Sequence, residues 1–139
     1  MRVRKTRAAV VTAAIGVTAL LGAAAPASAA AVSPTSLCGS SYSVLESHRV
    51  SSNRAGTIFL LYSASSGKNC VVTIADSASG ATANMYASLS VSGGPTVTDE
   101  GYYTTYAGPV YASAAGKCVK FSGGISGAGS YASGWGHCG

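Results

Sequence analysis

The hydrophobic and polar positions of this chain alternate over several segments, a pattern typical of β-strands. In ANMYASLSV, apolar residues occupy every second position from Met85 to Val91, and tyrosine or serine stands between them. Successive side chains of a strand point to opposite faces of its sheet. The segment is therefore predicted to be a half-buried strand.

Other segments are dense in β-branched, aromatic and further apolar residues. TIFLLYS and CVVTIA flank ASSGKN, a loop with the glycine that a hairpin needs. SYSVLES and KCVKF are further strand candidates, and the Gly- and Ser-rich stretches SGGP and SGGISGAGS are predicted turns. The sequence predicts an all-β fold, a small antiparallel β-sandwich or barrel of about seven or eight short strands.

The segment YYTTYAGPVYASA is rich in tyrosine. If strand alternation continues through it, Tyr102, Thr104 and Tyr106 lie on one face. Pro109 has no N–H to donate, so Gly108-Pro109 is predicted to be a turn, a bulge or part of an edge strand. We interpret most tyrosines as framework, since a tyrosine can bury its ring while its hydroxyl reaches water. The alternative is a surface recognition site, for which the candidates are Tyr102, Tyr106, Tyr111 and Trp135.

The first 29 residues do not follow the strand pattern. MRVRKTR supplies four basic residues, an apolar run follows, and APASAA ends it. This order is typical of a secretory signal peptide, with cleavage after Ala29. The alternative is a membrane anchor, because the apolar run approaches the length that spans a bilayer; Pro26 and the small residues around it favour cleavage. The predicted organisation is a signal peptide at 1–29 and a single mature β domain at 30–139.

Loss of the amino-terminal segment changes the charge of the chain. The whole sequence has nine Lys and Arg against four Asp and Glu, a net charge of +5. Four of the basic residues precede the cleavage site, so the mature domain has a net charge of only +1. Nucleic-acid binding needs clustered cations to neutralise phosphates. The remaining cations are scattered along the sequence: Arg49, Arg54, Lys68, Lys117 and Lys120. We therefore expect no nucleic-acid partner. We also expect no membrane association once the signal peptide is removed.

All four cysteines, Cys38, Cys70, Cys118 and Cys138, lie in the mature domain. An even number in an exported chain predicts two disulfides. Zinc is the alternative, but its sites usually bring ligands in close pairs such as C-x-x-C, and these cysteines are far apart in sequence. Three connectivities are open. We favour Cys38–Cys70 with Cys118–Cys138, because each would then close a neighbouring strand pair.

Few residues are suited to catalysis. The only histidines are His48 and His137, and no G-x-S-x-G motif nominates a nucleophile. Asp99 and Glu100 are neighbours, so in a strand they point to opposite faces, and such a pair more often solvates a turn than forms a glycosidase site. We predict no catalytic residue, no cofactor and no metal.

Three segments resemble the spore-associated protein A family, small exported proteins of Streptomyces-type actinobacteria. They are LCGSSYSVLESH, GTIFLLYSASSGKNCVVTIAD and TYAGPVYASAAGKCVKFSGGISGAGSYASGWGHCG. The most specific pieces are K-N-C-V-V-T, Y-A-G-P-V before A-A-G-x-C-V, and H-C-G. Where relatives tend to have tryptophan after the third cysteine and valine, this chain has Lys120-Phe121. The resemblance implies a secreted protein of spores or aerial hyphae with no assigned catalytic residues.

The sequence thus predicts a secreted, extracellular, non-enzymatic structural protein of the spore or cell surface, whose partner there is not identified. Two alternatives stay open. One is a secreted protease inhibitor that holds a loop rigid, with SHRVSSNRAG and VSGGPTVTDEG as the candidate loops. The other is a cell-wall or carbohydrate-binding module that uses Trp135 and tyrosines as stacking platforms.

Overall fold

The computed structural model describes residues 32–76 and 81–139, together with the single positions 16 and 22. Apart from those two positions, the predicted signal peptide and its cleavage site lie outside the described residues. No helix among the described residues is long and apolar enough to cross a bilayer. These residues form one short helix and eight strands: α1 (Pro34–Cys38), β1 (Ser43–Ser51), β2 (Ala55–Ser63), β3 (Lys68–Ala75), β4 (Ala83–Val91), β5 (Thr96–Tyr103), β6 (Tyr106–Ser113), β7 (Val119–Ile125) and β8 (Gly129–Ala132).

The strands form two four-stranded antiparallel sheets. Sheet A has the order β1-β2-β3-β6, and sheet B has the order β5-β4-β7-β8. Side chains from the inner faces of both sheets form one core, with main contributions from Ile58, Leu60 and Val71 of sheet A and from Met85, Leu89, Phe121 and Ile125 of sheet B. The prediction of an all-β antiparallel fold of seven or eight strands is confirmed, and of the two predicted architectures the structure has the sandwich.

Strand β4 shows the alternation that its sequence predicts. Its apolar positions from Met85 to Val91 are buried in the core, and Tyr86, Ser88 and Ser90 are half-buried on the other face. Full burial of a Leu- or Met-sized side chain contributes about 1.5–3 kcal/mol. A one-residue slip of β4 would exchange the two faces, so this burial also fixes the register.

Strands β2 and β3 are buried on both faces, which explains why their sequences are nearly continuous in apolar residues. Their second face forms a smaller cluster with the helix: Cys38, Leu61, Cys70 and Val72. Helix α1 begins with a capping box in which the Ser33 and Ser36 side chains each accept a hydrogen bond from the other residue's backbone N–H. The helix thus covers part of the outer face of sheet A.

The four cysteines pair as favoured from the sequence, Cys38 with Cys70 and Cys118 with Cys138. The expectation that each bond closes a neighbouring strand pair is wrong, because at least one cysteine of each bond lies outside the strands. Cys38–Cys70 attaches α1 to β3, and Cys118–Cys138 attaches the residue before β7 to the segment that follows β8.

The predicted hairpin turns are confirmed at SGGP, which joins β4 to β5, and in ASSGKN, where residues 64–67 join β2 to β3 and Lys68-Asn69 already belong to β3. The prediction of a turn over all of SGGISGAGS is wrong. Gly123 and Gly124 lie inside β7, and the turn covers only residues 126–128. A Cβ on Gly123 would lie 2.8 Å from Ile58 Cγ1 and nearer still to Thr73 Oγ1. Glycine stands there because the two sheets approach too closely for a side chain.

The tyrosine-rich segment is not one strand. It breaks at Thr104-Thr105, where the chain leaves β5 in sheet B and enters β6 in sheet A. The expected shared face of Tyr102, Thr104 and Tyr106 is therefore absent. In β6, an edge strand, Gly108 and Pro109 together stand opposite Val72 alone, so the predicted bulge and edge position are both confirmed.

Candidate functional site

The four predicted recognition residues do not form one site. Tyr102 is 78% exposed on the outer face of sheet B, whereas Tyr106 and Tyr111 are 37% and 38% exposed on the outer side of sheet A. Trp135 is 53% exposed and contacts Lys120 of β7. On β4, Tyr102 pairs with Asn84 and Lys120 pairs with Ser90, six residues further along the strand. Tyr102 is therefore on the order of 20 Å from Lys120 and the Trp135 ring that it contacts.

Tyr111 has a structural role. Its hydroxyl donates to the Cys38 carbonyl at 2.9 Å, and its ring packs against Tyr42 with the centroids 5.7 Å apart. Burial raises the pKa of Tyr111, which keeps the hydroxyl protonated as a donor. Tyr111 therefore anchors α1 and the disulfide at Cys38 to β6.

Both histidines of the chain lie where the edge of sheet A meets the edge of sheet B. His137 Nε2 lies 2.9 Å from Glu46 Oε2, and the Tyr131 hydroxyl donates to Glu46 Oε1 at 3.3 Å. The His48 ring stacks on the Tyr131 ring, with centroids 3.5 Å apart and planes 14° from parallel. Glu46 and His48 belong to β1 and Tyr131 to β8. The cluster joins the two sheets at this side of the sandwich.

Asp99 joins the sheets at the opposite side. Its carboxylate accepts hydrogen bonds from the Tyr103 hydroxyl at 2.6 Å and from the Gly108 N–H at 2.8 Å. Asp99 lies in β5 and Gly108 in β6, so the two bonds fix the place where the chain changes sheets. The hydrogen bond to Asp99 raises the pKa of Tyr103.

A third carboxylate, Asp76, pairs with Arg49 of β1 at the surface. The hydrogen bond from Arg49 lowers the pKa of Asp76. Three of the four acidic residues thus bind partners on other elements. Among the residues that the structure describes, no group of three or more His, Cys, Asp or Glu is placed to hold a metal ion.

A cleft of about 260 Å³ lies beside His137. A histidine that activates a nucleophile in acyl transfer needs a group such as a serine, threonine or cysteine within hydrogen-bond reach. Among the described residues, those that line the cleft include no serine, threonine or cysteine: Leu45, Tyr62, Asn69, Ala114, Gly116, His137 and Gly139.

The two segments named as inhibitor loops are mostly strand. Only residues 52–54 separate β1 from β2, and only residues 92–95 separate β4 from β5. Both connections are therefore tight hairpins of three and four residues.

On the outer face of sheet B, hydroxyl side chains from neighbouring strands stand side by side. Ser88 and Thr98 are 2.7 Å apart between their hydroxyl oxygens, and Ser90 and Thr96 are 2.8 Å apart. We call this surface the hydroxyl face; it comprises Asn84, Tyr86, Ser88, Ser90, Thr96, Thr98, Glu100, Tyr102, Lys120, Ser122, Ser130 and Ala132.

We call the outward side of β7 on the hydroxyl face the trough. Its side chains are small at Ser122 and absent at Gly124, where the Tyr86 ring lies against the backbone. Two grooves of about 160 and 310 Å³ lie along this line, the first next to Ser122 and the second next to Gly124. At one end of the trough, Lys120 Nζ lies 4.7 Å from the centroid of the Trp135 ring, a cation–π contact that orients the indole.

One protein of Streptomyces coelicolor, spore-associated protein A, is 42% identical to this chain over 107 residues. The matched region is 77% of this chain and 68% of that protein. This chain belongs to the spore-associated protein A family. The chain matches no protein-family profile and no solved structure.

For this member of the spore-associated protein A family, sequence reasoning missed the hydroxyl face. The available signal was the serine and threonine at alternate positions of ANMYASLSV and TVTDEGYY. That signal shows that each strand has one polar face. It does not show that the two polar faces are adjacent, which depends on the strand order and register of sheet B.

Proposed function

We propose that this chain is a secreted, non-enzymatic protein that associates with the surface of the spore or aerial hypha. Its relative's name, spore-associated protein A, supports the location. The predicted signal peptide at 1–29 supports export. The structural observation that carries the proposal is that the side chains capable of acid–base chemistry are used to join strands.

A general base must be free to take a proton from a substrate held within hydrogen-bond reach. The two carboxylate oxygens of Glu46 already contact Tyr131 and His137. The two oxygens of Asp99 already accept hydrogen bonds from Tyr103 and Gly108. Use of either group in catalysis would break a contact that joins the two sheets. The geometry favours a rigid domain over an active site.

Attachment needs an exposed surface that the rigid domain can present unchanged. The hydroxyl face is such a surface, because its side chains project from four hydrogen-bonded strands and lose little conformational freedom on binding. Its position opposite sheet A leaves α1 and the Cys38–Cys70 disulfide outside the contact.

The proposal is tested by expressing the full chain in a spore-forming actinobacterium that lacks its own copy. The protein recovered from washed spores is compared with the protein in the culture fluid. We expect most of the wild-type protein on the spores, and we expect His48→Ala and His137→Ala to remain there as well. Wild-type protein found only in the culture fluid would overturn the surface role.

The non-enzymatic part is tested with the same purified variants against panels of ester, peptide and glycoside substrates. We expect no turnover by the wild-type protein. A hydrolytic activity that His137→Ala abolishes, while circular dichroism shows an intact fold, would establish a catalytic site and refute this part of the proposal.

A further inference from the structure

We infer that the trough along β7 binds a neutral, hydroxyl-rich polysaccharide chain. This inference rests on the proposed surface association and specifies the chemistry of the surface component to which the protein attaches. It follows from three properties of the hydroxyl face: its hydrogen-bonding groups, its charge and its aromatic rings.

The paired hydroxyls offer hydrogen bonds of both kinds. A hydroxyl has one proton to donate and two lone pairs that accept. In the Ser88–Thr98 pair, one hydroxyl donates its proton to the other oxygen. The proton of the second hydroxyl and several lone pairs remain free to bond a ligand. The Ser90–Thr96 pair repeats the arrangement one step along the same strands. Sugar hydroxyls, which also donate and accept, match such a row.

The charge of the face indicates a neutral ligand. Its charged side chains are Glu100 and Lys120, one of each sign, on β5 and β7. Lys120 is directed to the Trp135 ring. An anionic polymer would require clustered cations, and the other cations of the described residues are dispersed. Arg49 and Lys68 belong to strands of sheet A, and Arg54 and Lys117 lie in loops.

Aromatic rings stand at two places along the trough. Gly124 leaves space for the Tyr86 ring, since a Cβ there would lie 2.7 Å from Tyr86 Cε1. Tyr86 is half-buried, and Trp135 at the other end is 53% exposed. Tyr and Trp rings combine an apolar face with a polar O–H or N–H group. The apolar face can pack on the C–H groups of a pyranose ring, and the polar group can bond its hydroxyls. Lys120 and Gly124 are about 14 Å apart along β7, so the two grooves and the rings beside them span more than one sugar.

The test mixes the purified, disulfide-bonded domain with microcrystalline cellulose or with chitin and measures how much protein is lost from solution. Alginate beads serve as the anionic comparison. We expect saturable adsorption to at least one neutral polymer. The adsorption should persist in about 1 M sodium chloride, where screening limits charge interactions to about 3 Å. Trp135→Ala and Tyr86→Ala should each weaken it about tenfold, and Ser122→Glu, which places a bulky charge on the floor of the trough, should abolish it.

The matched controls lie on sheet A. Tyr106→Ala removes an exposed aromatic ring, and Ser113→Glu adds an exposed charge to a strand; neither should change adsorption. Equal losses in Ser122→Glu and Ser113→Glu would overturn the inference, as would adsorption to alginate alone or to none of the polymers. Protein that remains on spores but binds no neutral polymer would refute the polysaccharide ligand while leaving the proposed function standing.

Discussion

At the scale of single residues, the side chains with the most reactive chemistry serve to hold the sandwich together. Asp99 and Glu100 point to opposite faces of β5, as the sequence predicts, but they do not solvate a turn. Asp99 is half-buried and joins β5 to β6, whereas Glu100 is exposed. The sequence cannot distinguish the two, because the partner of Asp99 is a backbone N–H nine residues away.

Replacement of Asp99 should therefore destabilise the domain far more than replacement of its neighbour. Asp99→Ala leaves the Gly108 N–H without its acceptor, which costs about 1–3 kcal/mol of unfolding free energy. Glu100→Ala, the matched control, should change it by less than about 0.5 kcal/mol. Urea denaturation measures both. Equal stabilities of the two variants would show that Asp99 is not a structural tie.

Three tyrosines make the stability sensitive to alkaline pH. The pKa values of Tyr103, Tyr111 and Tyr131 are raised, by the hydrogen bond to Asp99 for Tyr103 and by burial for the other two. A raised pKa means that the folded state favours the protonated hydroxyl. The stabilisation is complete below the unfolded-state pKa of about 10 and is lost as pH rises through the folded-state values.

We expect the Tm to fall once the pH exceeds about 10. The fall should be smaller for Tyr103→Phe, which lacks one of the three hydroxyls whose pKa is raised. Circular dichroism melts across this range measure the effect, and tyrosinate absorbance follows the ionisation. A Tm that stays constant or rises above pH 10 would contradict the prediction.

At the scale of elements, the strands that bury one face are the ones that the sequence predicts best. β4 buries one face, so its period of two is visible, and dense apolar runs mark β2 and β3 because both of their faces are covered. β7 is harder to predict, since Gly123 and Gly124 resemble a turn. Their place in a strand depends on the close approach of Ile58 and Tyr86, which no local pattern reveals.

The crowding at Gly123 gives a prediction for this element. Gly123→Ala should lower the unfolding free energy by about 1–3 kcal/mol, because the added methyl group overlaps Ile58 and Thr73 in the core. Gly134→Ala is the control, since a Cβ there has no atom within 4 Å. Urea denaturation should separate the two variants. If they are equally stable, the sheets can move apart locally and glycine is not required in β7.

At the scale of the whole molecule, the sequence predicts the fold class and the disulfide pairing but not the hydroxyl face. The fold class follows from local patterns. The face requires the order β5-β4-β7-β8, which brings outward side chains from four separate segments together. Of the predicted recognition residues, Tyr102 lies on this face and Trp135 lies at one end of the trough, whereas Tyr106 and Tyr111 belong to sheet A.

Export of the protein is also a prediction at the scale of the whole chain. Cleavage after Ala29 should leave Ala30 as the first residue of the secreted protein, which intact-mass measurement and amino-terminal sequencing would show. Replacement of Ala27 and Ala29 by bulky residues should block this processing. Protein that stays in the membrane fraction with Met1 still attached would instead support the membrane-anchor alternative.

The edges of the two sheets have a consequence for how copies behave when they are crowded together. Exposed edge strands can pair between molecules and cause aggregation. β6 has Pro109 and a bulge, β1 has a register shift between Val44 and Glu46, and β8 is only four residues long. β5 has Asp99 and Glu100. Each edge thus has a feature that opposes intermolecular strand pairing, so a dense layer of this protein should remain a collection of separate folded domains rather than become a fibre.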